Sequence, residues 1–156
     1  MKKLLTATLI ALLVTCGTAT ADKGDFGNGE NVDPDITSGL AAMQLKEARA
    51  KWLDASVRSY SFTSHRGCFC AAPFKSRITV RNGKVIKVSK RPWYGARTVP
   101  AMFRIVGQAI KREVAVLDVR YDPQLGFPKR ASIDYIAMAA DDEMYYRITK
   151  FKRLGS

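Results

Sequence analysis

The chain has 156 residues, with 26 Lys+Arg against 14 Asp+Glu, a formal charge of +12, 47% hydrophobic and 10% aromatic residues. That is enough length and apolar content for one domain with its own core, too little for two full-sized domains, and incompatible with disorder over most of the chain. After the N-terminus every apolar run is too short to span a bilayer.

Lys2 and Lys3 precede an apolar run from Leu4 to Val14, and Ala19-Thr20-Ala21 supplies small residues for a signal peptidase. The expectation is an exported protein, periplasmic or secreted, with residues 1–21 removed as a signal peptide. A competing cut at Leu13-Val14-Thr15-Cys16 resembles a lipobox. It would make Cys16 a lipid anchor and tie the protein to a membrane. Charge is uneven: residues 22–54 carry 4 basic and 7 acidic groups, residues 55–130 carry 16 and 3, and residues 131–156 carry 4 and 4. An anionic partner would therefore meet the middle of the chain.

Residues 22–38 are rich in Gly, Asp and Asn and read as a flexible acidic arm; 39–156 form the expected domain. From about Leu40 to Asp54 the residues Ala41, Leu45, Ala48, Trp52 and Ala55 recur at helical spacing, which predicts an amphipathic helix. Val57 to Ser64 alternates, with Tyr60 and Phe62 on one side and Ser59, Ser61 and Thr63 on the other, as a half-buried strand does.

Arg77 to Lys90 reads as a hairpin around Asn82-Gly83. A two-residue turn pairs Val80 with Val85. A three-residue loop instead gathers Ile78, Val80, Ile86 and Val88 inside and leaves Arg77, Thr79 and Lys87 outward, and this second register is the one expected. Thr98 then caps a helix with Pro100 in its first turn and a buried stripe of Phe103, Val106, Ala109 and Ile110. Gly107 inside it implies close backbone approach to a sheet. Three strands follow, with Ala115, Leu117, Val119 and Tyr121 sharing one face, Ala131, Ile133 and Tyr135 another, and Met144, Tyr146 and Ile148 the third. The expected architecture is α+β: an antiparallel sheet with two helices on one face, in the order helix, three strands, helix, three strands.

The chemistry-bearing candidates are few. Once the signal segment is gone, Cys68 and Cys70 can pair only with each other within the chain, and i, i+2 residues in a strand sit at the upper edge of disulfide geometry. A structural staple, a reducible thiol pair and a Cu or Zn site made by His65, Cys68 and Cys70 all remain open. With His65 as the sole histidine, no Ser-His-Asp or Cys-His constellation stands out. Asp118, Asp122 and Asp134 would support hydrolysis only if they converged near Tyr121, and Asp122 before Pro123 reads more simply as a turn residue. No catalytic residue and no cofactor is assigned.

Trp52, Tyr60, Cys68-Phe69-Cys70, Val80 with Asn82-Gly83-Lys84-Val85, Tyr121-Asp122-Pro123-Gln124-Leu125-Gly126-Phe127-Pro128, Ile133-Asp134 and Asp142-Glu143 together make a pattern. It resembles a family of small exported bacterial proteins and lipoproteins classed as a domain of unknown function, over roughly residues 45–151. That resemblance implies the compartment and domain limits and no activity. The functional expectation is a non-catalytic envelope binding module using Arg77, Lys87, Lys90, Arg91 and Trp93 for an anionic polymer, a lipid headgroup or a protein. Nucleic acid is a less available partner outside the cytoplasm, and the oligomeric state is open.

Overall fold

The computed structural model describes residues 31–68, 71–139 and 142–155. The expected signal peptide, Cys16, residues 22–30 of the expected arm, and Cys70 lie outside the described residues. Among the described residues three helices, α1 (Pro34–Thr37), α2 (Leu40–Asp54) and α3 (Val99–Lys111), accompany six strands, β1 (Tyr60–Cys68), β2 (Ala71–Arg81), β3 (Lys84–Val88), β4 (Val116–Tyr121), β5 (Pro128–Asp134) and β6 (Met144–Arg153).

The expected α+β architecture is corrected on two counts. Among the described residues a third helix, α1, comes before α2, so two helices and not one precede the first strand there; and strand residues outnumber helical ones, which makes the described fold mostly β. The extra helix comes from a local signal inside an otherwise Gly- and Asp-rich stretch. Asp33 caps it by accepting from the Asp35 N–H at 2.8 Å, and Pro34 supplies its first residue. Asp33 is buried, accepts from the Leu117 N–H at 2.8 Å and donates its own N–H to the Val114 carbonyl at 3.1 Å. The end of the segment expected to be an arm is thereby pinned to the start of β4.

The sheet is antiparallel throughout, in the order β3-β2-β1-β6-β5-β4. Two three-stranded meanders thus join through the first and last strands. On the face toward the helices, Phe62, Ile78, Val80, Ala131 and Ile148 meet Leu45, Ala48 and Trp52 of α2 and Met102, Phe103 and Val106 of α3. A smaller cluster of Ala41, Ala109, Val114, Leu117 and Ile133 closes the β4 end. Gly107 approaches α2 and not the sheet. A Cβ there would lie 3.0 Å from Arg49 Nη2, and that guanidinium donates to the Phe103 carbonyl at 3.0 Å.

The hairpin register differs from the expected one. Asn82 and Gly83 adopt φ of 48° and 77°, and Arg81 faces Lys84 and Val80 faces Val85, as in a two-residue turn. A bulge then restores Thr79 opposite Lys87 and Ile78 opposite Val88. The residue displaced by the bulge is Ile86, which is 59% exposed and not in the core.

Candidate functional site

The helices cover one face of the sheet, so strand alternation sends every second residue of β1 to β6 to the other, open face. Residues directly opposite in neighbouring strands share a face. His65 is opposite Lys75 on one side and Arg147 on the other; Arg147 is opposite Arg130, and Arg130 is opposite Arg120. Lys75, His65, Arg147, Arg130 and Arg120 therefore form one row across five strands, roughly 19 Å long at ~4.8 Å per strand. Parallel rows add Arg77 beside Thr63 and Thr149, and Lys87 and Lys152 on either side of Thr79 and Ser61.

No carboxylate lies within ion-pair distance of these cations among the described residues. Like charges directly opposite each other in a sheet cost stability, of order 0.2–1 kcal/mol per pair. Three adjacent arginines in one row thus form a surface that an anion would relieve.

Two adjoining depressions follow the row. One, of about 890 Å³, is lined by Arg120, Lys129, Arg130, Arg147 and Lys150, with Tyr145 and, among the described residues, one carboxylate, Asp122. It forms where β5 stops pairing with β6 beyond Arg130 and Arg147. The other, of about 410 Å³, is lined by Thr63, His65, Lys75 and Arg77 and shares Thr149 and Lys150 with the first. Lys150 sits at φ 50°, in the left-handed region, where the β1–β6 register slips between Ser61 and Thr63. Its carbonyl accepts from Arg77 Nη1 at 3.3 Å, while Arg77 Nη2 donates to Ser61 Oγ at 2.9 Å, so the Arg77 guanidinium lies along the face. His65 Nε2 is 2.9 Å from Thr149 Oγ1. Burial and the neighbouring charges of Arg147 and Lys75 hold the His65 imidazole below its usual pKa.

The anion-binding residues expected from sequence separate into two places. Arg77 and Lys87 lie on the open face. Lys90, Arg91 and Trp93 belong to the loop before α3, and Trp93 is a buried core residue, 3% exposed, with its indole Nε1–H directed to the Ala96 carbonyl at 3.5 Å. Sequence reading missed Lys75, Arg120, Arg130 and Arg147. They occupy the outward positions complementary to inner residues such as Val119, Ala131 and Tyr146.

His65 and Cys68 do not come together. Cys68 is opposite Met144, on the face that carries Ile133 and Tyr146, while His65 points to the open face. Cys68 is engaged in an interaction of its own. No group of three or more His, Cys, Asp or Glu side chains suited to a metal occurs among the described residues. The three aspartates also have separate duties. Asp118 is exposed on β4, Asp122 Oδ1 accepts from the Gln124 and Leu125 N–H groups at 3.1 and 2.9 Å, and Asp134 accepts from the Ile136 N–H at 3.2 Å. Burial, with Asp142 and Glu143 nearby, raises the Asp134 carboxyl, and burial pushes the Tyr121 phenol up to about 12.

The Tyr121–Pro128 motif is a clamp. Gly126, at φ 75°, presses on α2, and Phe127 stacks on Phe151 at 4.7 Å and meets Trp52 edge-on at 6.2 Å. Trp52 also meets Tyr60 edge-on at 5.5 Å, and the Tyr60 hydroxyl accepts from the Val99 N–H at 3.1 Å, satisfying a donor at the start of α3. The residues that carry the sequence pattern therefore build the core that supports the open face.

No curated protein and no solved structure matches the chain. Residues 44–153 match the model of the family of unknown function DUF6174. This span takes in α2 from Gln44 onward and all six strands, and the chain belongs to that family.

Proposed function

We propose that the protein is an exported, non-catalytic binding module of the cell envelope whose open sheet face captures a phosphate-bearing partner, either an anionic envelope polymer or a layer of lipid headgroups. The observation that carries this reading is the row Lys75–His65–Arg147–Arg130–Arg120, aligned by strand register and without carboxylate partners among the described residues. A row of cations at strand spacing suits a repeated charge better than a single small ion, and the two depressions beside it give room for groups that branch from a chain. Removal of residues 1–21 and closure of a Cys68–Cys70 staple belong to the same reading.

The experiment is a titration of the protein against polyphosphate, and separately against vesicles with and without anionic phospholipid, at several salt concentrations. Affinity should fall steeply between 0.05 and 0.5 M salt, because the screening length shrinks to about 4 Å at the upper end. Binding that survives 0.5 M salt, or binding equal on neutral vesicles, would overturn a charge-led mechanism.

A further inference from the structure

The helix-covered side of the sheet carries a second, chemically different recess. Strand alternation that sends His65 and Lys75 to the open face sends Arg66 and Phe74, which are opposite each other, to this side. There they meet the loop that runs from Lys90 to Gly95, and together they enclose about 160 Å³. We infer that this slot is a binding site for a ligand that joins one six-membered apolar ring to a carboxylate.

The walls are aromatic: Phe74, Trp93 and Tyr94, with Pro92 beside them. The Trp93 ring is already seated, since it is buried and its carbonyl accepts from Arg97 Nη2 at 3.1 Å. Gly95 makes this possible, because a Cβ at that position would come 2.4 Å from the Trp93 ring. Phe74 and Tyr94 are 43% and 77% exposed, so both rings offer apolar surface to a ligand entering the slot. A dry apolar cavity of about 150 Å³ is known to accept benzene, which sets the ring size this slot would hold.

The rim supplies the charge. Arg66, Lys90 and Arg91 line the slot, and none has a carboxylate within ion-pair distance among the described residues. Lys90 Nζ stands 5.3 Å from the centre of the Phe74 ring, and the Arg66 guanidinium donates to Met144 Sδ at 3.9 Å. A ring bearing a carboxylate meets both the aromatic walls and the cationic rim, whereas a neutral ring uses the walls alone. Two sources share this chemistry, a free aromatic acid and the C-terminal phenylalanine of a polypeptide.

The test is a titration of the full chain with phenylacetate, with a short peptide ending in phenylalanine, and with benzyl alcohol and the amidated peptide as neutral counterparts, read at the two tryptophan indole N–H resonances. The expected result is a saturable shift of the Trp93 signal with little change at Trp52. Binding should be about tenfold weaker for the neutral counterparts and for Arg66→Gln or Lys90→Gln, the loss of one charged contact. Tighter binding of the peptide assigns the site to a protein C-terminus, and tighter binding of phenylacetate to a free acid. No saturable shift by about 10 mM, or equal affinity for benzyl alcohol, would overturn the inference. Arg147→Ser, on the opposite face, should leave this titration unchanged, so its outcome is independent of polyanion binding.

Discussion

Replacing Gly126 by alanine asks how tightly the Asp122–Phe127 turn is docked. The added Cβ would lie 2.2 Å from the Ala48 carbonyl oxygen and 2.8 Å from Lys51 Cβ, and the first of these is backbone that cannot rotate away. Two costs follow. Holding alanine at φ 75° costs roughly 1–2 kcal/mol. Relieving the overlap moves the turn away from α2 by about an ångström, which disturbs Phe127, only 3% exposed, and its contacts with Phe151 and Trp52. Each aromatic contact is worth about 0.5–1.5 kcal/mol beyond burial, and outright loss of a core phenylalanine costs about 3–5. The expected destabilisation is therefore about 3 kcal/mol.

Gly83 provides the control. It has φ 77°, and a Cβ added there would meet nothing within 4 Å, so Gly83→Ala reports backbone strain alone. Urea unfolding of both variants, followed by tryptophan fluorescence, should show a larger drop in midpoint for Gly126→Ala with unchanged slope. Equal losses within about 0.5 kcal/mol, the usual error of such comparisons, would refute the docking of this turn on α2.

Two further outcomes follow from single contacts. Tyr60→Phe removes the acceptor for the buried Val99 N–H and should cost about 1–3 kcal/mol in the same unfolding assay, whereas a loss below about 0.5 would mean that the α3 terminus finds another partner. His65 is held below the ordinary 6.5, so between that value and its folded pKa the unfolded chain binds more protons, and stability declines as pH falls below 6.5. A bound polyanion reverses the local field and favours the imidazolium. Polyphosphate affinity should therefore strengthen from pH 7.5 to 5.5, and His65→Gln should flatten that dependence; a wild-type profile that is already flat would place the anion away from this row.

How much of this was legible in the sequence depended on range. The helical stripe of Ala41, Leu45, Ala48 and Trp52, and the cap at Thr98, whose Oγ1 accepts from the Ala101 N–H at 3.0 Å, are local signals and were readable as such. So were the inner residues of β4 to β6. The bulge that ejects Ile86 was not, because Asn82-Gly83 suits both a two-residue turn and a longer loop, and the choice follows from β1 pairing with β2 and from the burial of Ile78 and Val80 in the core. The helix at Pro34 was hidden by the glycines and acids around it, since its capping residue also needs Val114 and Leu117, about 80 residues away, to be worth burying.

The candidate site was the least legible part. Arg77 and Lys87 stood out because their hairpin is contiguous. Arg147 reaches His65 only because β6 pairs with β1, and Arg120 reaches Arg147 only through β5. No local pattern encodes that pairing. Trp93 was drawn toward the anionic site by its basic neighbours, while its ring was needed in the core.

The arginine row can be tested against stability and binding in one protein. Arg130→Ser with Arg147→Ser removes two like charges that face each other, so the variant should unfold at a higher urea concentration than wild type, by up to about 1 kcal/mol, while its affinity for polyphosphate at low salt falls by tenfold or more. A variant that binds polyphosphate as tightly as wild type would contradict the assignment of the open face as the binding surface.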